Sequence, residues 1–408
     1  MKEKSILFLS GIDFKDKSIQ VVHKTPEAYI RNGYDVNYIV YRDNSKKGNY
    51  FYESEKKLEG ANLQRFYWPF PKLRAVNNRF IALLFTKLSS LLVVYFLFIK
   101  GFIFLLKNRD CKIIYGYEMQ GVLASNLLKI FFKNKKYISR FQGVYYIKEH
   151  FLHKRYLNLL FNLDTLLALW LPSDLMVMTN DGTQGDQILD KIKSLSRKNL
   201  LFISNGVNNI QKSDLSLIDV KSEFCIEGEY FILVSRLTSI KRVHFLIEAF
   251  NIYGKKFQFN YKFYVVGDGP DLNYLKNLVL KYKIEDFFCF LGAIDNIKVY
   301  PLLKNSKAIF SLYESSNIGN PFFEAMQCGT PMVAVNNGDT GLYIKDGVNG
   351  LLINEDRIVE DLLIIFDKII NNKIDFNKLS SNALDFSKNN ILTWKERFDI
   401  ELERVGSL

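Results

Sequence analysis

The sequence predicts an α/β protein built as two doubly wound domains, each a parallel sheet covered by helices on both faces. Three observations carry this prediction. Short apolar runs rich in β-branched and aromatic residues alternate with helix-length segments along the chain. At 408 residues the chain exceeds what one hydrophobic core usually supports. Glycines and charged residues gather just after the apolar runs, where open parallel sheets bind ligands.

Taken in order, the first half offers strands at 4–11 (KSILFLSG), 36–41 (VNYIVY), 112–117 (KIIYGY), 136–143 (KYISRFQG), 175–180 (LMVMTN) and 201–206 (LFISNG), with helices including 116–133 and 151–170. The second half repeats the rhythm with strands at 229–237, 261–269, 287–292, 308–313, 331–336 and 350–353. Its helices fall at 242–255, 271–283, 297–305, 321–328 and 356–371. The junction is polar and lacks a strong period. The expected organisation is therefore a first domain at 1–207, a linker at 208–226, a second domain at 227–390, and a helix within 391–408 that closes back onto either domain.

Composition sets bounds on function. Hydrophobic residues at 48%, charged residues at 24%, 8 Pro and 23 Gly describe a packed globular chain and exclude disorder as the main state. Aromatic residues reach 15%, and the formal net charge is +12 at a mean hydropathy of -0.04. All of the excess charge is N-terminal: residues 1–200 sum to +15 and residues 201–408 to -3, and residues 61–160 alone carry +14. There the charges interleave with apolar runs such as RFYWPFPKLR and LLVVYFLFIKGFIFLLKNR. Nucleic acid is not expected as a partner, because no zinc-finger spacing, RNA-binding motif or recognition-helix pattern accompanies the charge. An anionic membrane surface suits Lys and Arg set beside Phe, Tyr and Trp; a solvated basic face is the plainer reading.

The run Leu91–Leu106 is interrupted by Lys100 and Gly101, and sixteen residues span about 24 Å, short of a bilayer core. A buried or interfacial helix is expected there. The N-terminal residues read as a strand, not a leader. Cys111, Cys225, Cys289 and Cys328 form no C-x-x-C pair, and the histidines at 23, 150, 153 and 244 form no ligand pair. A reduced, cytoplasmic protein without metal or other cofactor is expected.

Residue placement narrows the chemistry. Ser235 and Arg236 end a strand, Lys241 opens the next helix, Gly267-Asp268-Gly269-Pro270 follows the next strand, and Gly338-Asp339-Thr340-Gly341 follows a later one. Together these put two cations and several helix N-termini at one sheet edge, an arrangement that receives a diphosphate. No phosphate-loop lysine motif, no G-x-G-x-x-G after the first strand, no serine elbow and no H-E-x-x-H is present. Kinase-like, dinucleotide, serine-hydrolase and zinc-protease readings therefore lose their support.

FILVSRLTSIKRVHFLIEAF, YVVGDGP, IFSLYESSNIGNPFFEAMQCGTPMVAVNNGDTG and DGVNGLLI, in that order over more than 120 residues, resemble the C-terminal domain of the family-4 glycosyltransferases (glycosyl transferases group 1). These are retaining enzymes of GT-B fold, in which two Rossmann-like domains face a central cleft. SNGVNN at 204–209 resembles the segment that enters the second domain in that family; the first domain matches in architecture only.

The resemblance implies that Arg236 and Lys241 neutralise the diphosphate of a UDP- or GDP-sugar, and that Glu324 meets the donor ribose. Gly11, Asn205, Gly206, Gly267, Gly269, Ser316, Asn317, Gly319, Asn320 and Pro321 are the further donor-site candidates. Two departures stand out. Ser316 occupies the place of the first glutamate of the family's pair, with Glu314 two residues earlier. Gln142 stands where relatives often carry a histidine, and Gln cannot act as a base; Glu118 is the neighbouring acceptor or base candidate.

The expected activity is transfer of a sugar, with retention, to a hydroxyl of a glycan or polyprenyl-pyrophosphate-linked acceptor. Capsule, lipopolysaccharide or cell-wall assembly is the expected process, at the inner face of the cell membrane. The alternatives are a non-catalytic nucleotide-sugar or glycan scaffold at the membrane, and an epimerase or phosphorylase on the same fold. Oligomeric state is left open.

Overall fold

The computed structural model describes residues 4–13, 20–42, 58–67, 79–208, 219–254 and 259–408. The chain forms two compact units, Met1–Asn180 with Gln184–Ser204 and Lys395–Leu408, and Asp181–Thr183 with Asn205–Trp394.

The first unit holds a seven-stranded sheet in the order β3-β2-β1-β4-β5-β6-β7. The strands are β1 (Lys4–Ser10), β2 (Tyr34–Arg42), β3 (Ala61–Tyr67), β4 (Ile113–Tyr117), β5 (Lys136–Phe141), β6 (Leu175–Thr179) and β7 (Leu200–Ile203). All pairs are parallel. Alternate side chains leave β1 and β4 on opposite faces, as the two-residue period requires. Leu7, Leu9 and Ile114 join a core with α2 (Arg79–Lys107), α3 (Glu118–Phe131) and α6 (Leu163–Trp170). On the other face Phe8 stacks on Tyr115, and Tyr29 of α1 (Gln20–Arg31) meets both rings edge-on.

Three elements differ from the sequence expectation. β3 was not anticipated: it is an edge strand with every residue at least partly exposed, so its apolar signal is weak. Residues 151–170 are not one helix. They lie in α4 (Tyr145–Leu152), α5 (Tyr156–Phe161) and α6, the first break falling where Lys154 takes φ +51°. The helix over 91–106 begins twelve residues earlier and runs for 29 residues, about 43 Å. The length argument against a membrane span therefore fails. Ile81–Lys107 is long and apolar enough to cross one, but Val93, Val94, Leu97, Phe104 and Leu105 are committed to the core of the unit.

The second unit holds a six-stranded parallel sheet, β10-β9-β8-β11-β12-β13, with β8 (Tyr230–Val234), β9 (Lys262–Val266), β10 (Phe288–Gly292), β11 (Ile309–Ser311), β12 (Met332–Val335) and β13 (Gly350–Ile353). Much of the chain's phenylalanine sits in one core: Phe231, Phe250, Phe259, Phe263, Phe310 and Phe366 meet edge-on or stacked, geometries that add to area burial. The stretch expected as a linker is partly core, with Val220 and Ile226 buried in the second unit; residues 209–218 of it lie outside the described residues. Helix Phe376–Asn390 was not anticipated, since most of its residues are polar.

The chain leaves the second unit through Leu392–Trp394, hydrogen-bonded to Val207. Gly206 is required here, because a Cβ would stand 2.5 Å from the Trp394 nitrogen. Helix Trp394–Gly406 then contributes residues 395–406 to the first unit.

Candidate functional site

In each sheet the strand order reverses at one place, between β1 and β4 in the first unit and between β8 and β11 in the second. Ligands of open α/β sheets bind outside the carboxyl ends of the strands at such a reversal, where the flanking loops diverge. In the second unit the loops after β8 and β11 enclose a cavity of about 220 Å³ at this point. Its lining includes Ser235, Arg236, Lys241, Tyr313, Ser316 and Asn317, with Ile318, Gly319 and Pro321 continuing the wall. Two cations line it and no carboxylate does.

Lys241 ends a single 3-10 turn, Ser239–Lys241, which hands the chain to helix Val243–Tyr253 through Arg242 at φ +54°. Its ammonium lies 3.4 Å from the centre of the Tyr313 ring. Burial without an acidic neighbour pushes Lys241 down to about 8; a low dielectric disfavours the charged form, and the ring face offsets only part of that cost. Arg236 is exposed at the mouth of the same cavity. In the same lining the buried Ser235 hydroxyl, both donor and acceptor, has no protein partner; the sequence placed Ser235 at the end of its strand without a role as a ligand contact. Tyr313 was missed, since 72 residues of chain separate it from Lys241.

The segment after β11 is built from within. Asn317 Oδ1 accepts from Ser311 Oγ (2.7 Å) and the Tyr313 amide (3.0 Å), while its Nδ2 donates to the Val335 carbonyl (2.8 Å) and Asn337 Oδ1 (3.2 Å). Both amide hydrogens are therefore used, and its backbone amide donates to Thr340. Asn317 shapes the wall and offers no side-chain donor to a ligand. Ser316 is buried and caps the Ile318 amide at 3.2 Å. Glu314 does not replace the missing carboxylate. It pairs with Arg242 at 3.4 Å and is not in the lining.

Gly319 caps helix Asn320–Gln327, whose first turn holds Pro321, and there Asn320 Oδ1 accepts from Asn205 Nδ2 at 3.1 Å. That bond joins two donor-site candidates 115 residues apart in sequence. Asn205 Oδ1 is buried without a protein partner. Glu324 stands on the same helix but is 4% exposed, outside the cavity lining, and its Oε1 accepts from Asn296 (3.1 Å) and Tyr300 (3.5 Å). Gly267 and Gly269 act behind the wall. A Cβ on either would stand 1.8 or 2.1 Å from the carbonyl of Ser235 or Leu237, so both let the loops after β8 and β9 lie against each other. Gly206 serves the packing against Trp394 described above.

The remaining candidates gather in the first unit. Gly11 follows β1, and a Cβ there would crowd Gln120 at the start of α3. Glu118 holds φ +54°, a conformation costly for a residue with a Cβ, and accepts from the Gln142 amide at 2.8 Å. Gln142 Nε2 donates to the Tyr117 hydroxyl at 2.8 Å. Behind Tyr117 lies a closed charge cluster. Arg140 is 0% exposed and donates to Thr179 at 2.8 Å. Arg397 and Glu401 of the last helix, both 0% exposed, form an ion pair. Tyr115 and Tyr29 donate to Glu401 at 2.9 and 3.1 Å. The two guanidiniums and these hydroxyls hold the Glu401 carboxyl below its ordinary range against the desolvation that raises it. Among the described residues no group of three His, Cys, Asp or Glu could hold a metal ion.

Comparison with known proteins bears on this geometry. The class comes first: the two parallel-sheet units match solved glycosyltransferases over essentially the whole chain. Anabaena Alr3699/HepE in complex with UDP and glucose aligns at a TM-score of 0.70 and 16% identity, covering 100% of both chains. WaaG, a glycosyltransferase involved in lipopolysaccharide biosynthesis, aligns at 0.67 and 13%, covering 98% of this chain and 99% of that one. The fold is GT-B.

In the sequence, residues 218–386 match the model of Glycosyl transferases group 1. N-acetyl-alpha-D-glucosaminyl L-malate synthase of Bacillus anthracis is 32% identical over 157 residues, 38% of this chain and 40% of that protein. Alpha-monoglucosyldiacylglycerol synthase of Acholeplasma laidlawii is 26% identical over 147 residues, 35% of this chain and 37% of that one. The alignments thus span about two fifths of these relatives' length.

Proposed function

We propose that the protein transfers a sugar from a nucleoside-diphosphate donor, UDP- or GDP-linked, to a hydroxyl of a glycan or lipid-linked acceptor, with retention at the anomeric carbon. The observation that carries this reading is the cavity at the β8/β11 reversal, with two cations and an unpartnered serine hydroxyl but no acid. An unscreened ammonium with its charge left unanswered by the protein favours an anionic ligand. Cavities for whole ligands run to roughly 300–1,000 Å³; this smaller one suits the diphosphate and sugar portion. Solved relatives of this fold that carry UDP and glucose support the same class of donor.

In the proposed reaction the bond from the anomeric carbon to the diphosphate oxygen breaks as the acceptor oxygen attacks from the same face. Arg236 and Lys241 stabilise the charge that develops on the departing diphosphate. The acceptor proton passes to the departing phosphate oxygen, so no protein base is needed and Gln142 is compatible with turnover. Glu118 and Gln142, joined at the first unit's sheet edge, are the proposed acceptor contacts.

The test is thermal unfolding with a panel of UDP- and GDP-sugars. A selective donor at a hundredfold excess over its Kd stabilises by about 2.7 kcal/mol and raises the midpoint; no shift across the panel rejects the proposal. The buried Ser316 in place of a carboxylate favours a second reading, donor binding without transfer. A thermal shift with no turnover of donor in the presence of lipid-linked acceptors would select it.

A further inference from the structure

Helix α2 has two apolar faces, and the fold uses one. Val93, Val94, Leu97, Phe104 and Leu105 are buried against β1, β2 and α3. Leu84, Leu88, Leu91 and Tyr95 recur at spacings of four and three, which is a second stripe along the same helix, and Leu106 continues it. These five are 52–60% exposed.

The stripe does not stop at α2. Phe131 of α3 lies against Phe102 and Phe98 at 5.3 and 5.9 Å, yet is itself 59% exposed. Lys87 of α2 holds Asp164 of α6 at 2.8 Å, and α5 and α6 present Leu157, Leu160, Leu167 and Trp170 to solvent. Of the thirty-one exposed large apolar residues among those described, twenty-one lie on α2 to α6. Concentration on one group of packed helices is unlike the single scattered residues normal for a monomer surface.

Charge identifies what covers this face. α2 contains Arg79, Lys87, Lys100 and Lys107 and no Asp or Glu. Lys133 and Lys136 follow α3, and Lys154 and Arg155 precede α5; all four are exposed. The acids on these helices are few, and Asp164 is taken by Lys87. A second copy would set the +14 of residues 61–160 against itself, which like-charge repulsion opposes. An anionic bilayer supplies an apolar layer beneath negative headgroups, and Tyr and Trp favour that boundary. Because the core-facing stripe of α2 is already packed, lipid meets only one side, so the helix lies on the membrane and does not cross it. We propose that α2–α6 form a docking surface for anionic lipid, with Leu84, Leu88, Leu157 and Leu160 entering the acyl boundary and the flanking Lys and Arg meeting headgroups. This inference does not rest on the donor assignment.

The test is sedimentation of the full chain with vesicles of phosphatidylcholine alone or with about one third phosphatidylglycerol. Binding to the anionic vesicles should be at least about tenfold tighter, since each basic residue near the surface contributes about 1 kcal/mol, and should weaken with salt. Leu157→Glu with Leu160→Glu, and separately Lys154→Glu with Arg155→Glu, should each lower it about tenfold or more. Leu342→Glu, at a residue 67% exposed in the second unit, should leave it unchanged. An unaltered unfolding midpoint establishes that the surface variants fold. Negligible or equal recovery with the two vesicle types overturns the proposal. So does a stable dimer that the Leu157/Leu160 variant dissociates without any vesicle binding, which would assign the face to a second copy.

Discussion

In the first unit Arg140 leaves the end of β5 and is sealed from water, its charge answered within the chain by Glu401 and the hydroxyls around it. In the second unit Arg236 and Lys241 leave the loop after β8 and line a cavity that contains no carboxylate. Both cation sets stand toward the carboxyl ends of similar parallel sheets. The difference lies in who supplies the anion. Where the fold provides it, as for Arg140, the cation is part of the architecture; at Lys241 burial has no acidic neighbour to answer it, and the cost is left for a ligand to offset.

The comparison breaks first at Glu401. Glu401→Ala leaves two fully buried guanidiniums without their carboxylate, and removing one partner of a buried pair costs about 3–5 kcal/mol. Urea unfolding should show this loss in the transition of the first unit, while donor stabilisation of the second persists. Glu401→Gln keeps size and acceptors for the tyrosines and should fall between. A loss below about 1 kcal/mol for the alanine variant would show that the cluster is not held by charge. The sign with pH follows: the Glu401 carboxyl is depressed in the folded protein, so its contribution is present above the ordinary carboxylate range and is lost as pH falls through the depressed value.

The mirror experiment is Lys241→Ala, with Arg236→Ala beside it. Each should leave the fold intact and lower donor turnover by about a hundredfold or more, the range for removing one preorganised group from developing charge. Near-normal turnover in either variant would remove that residue from the proposed diphosphate site. A sharper version uses pH. Burial places Lys241 at about 8, so donor affinity should be full below that value and fall by up to tenfold per unit above it, as the ammonium is lost. Lys241→Arg, which stays charged, should flatten the profile; an equally steep profile in that variant would assign the titration to another group.

The same contrast explains what was legible in the chain. Arg236, Lys241 and the glycines after β9 announced themselves because residue type and position after a strand suffice to place them at the carboxyl edge of the sheet. Gly267 and Gly269 were noticed for the right place, but their role is close packing of loops, which depends on a carbonyl more than thirty residues away. Asn317 read as a donor amide and is an internal tie. Neither the Tyr313 ring beneath Lys241 nor the closure of Arg140 by Glu401 has a local signature, because both depend on long-range register. β3 and helix Phe376–Asn390 escaped for a related reason: an edge strand and a polar helix carry little apolar periodicity.

Tyr313 supplies the finest test of the comparison, since its ring does for Lys241 a small part of what Glu401 does for Arg140. An aromatic face stabilises an adjacent cation by about 0.5–2 kcal/mol, far less than a buried carboxylate, and it does not neutralise the charge. Tyr313→Leu should therefore weaken donor binding only several-fold, by letting the ammonium leave its position, and should move the pH midpoint of binding downward because the charged form loses support. Tyr313→Phe keeps the ring and should preserve both. If Tyr313→Leu instead tightened binding, the ring would be a competitor for the ammonium, and Lys241 in the free protein would be partly occupied and not waiting for its anion.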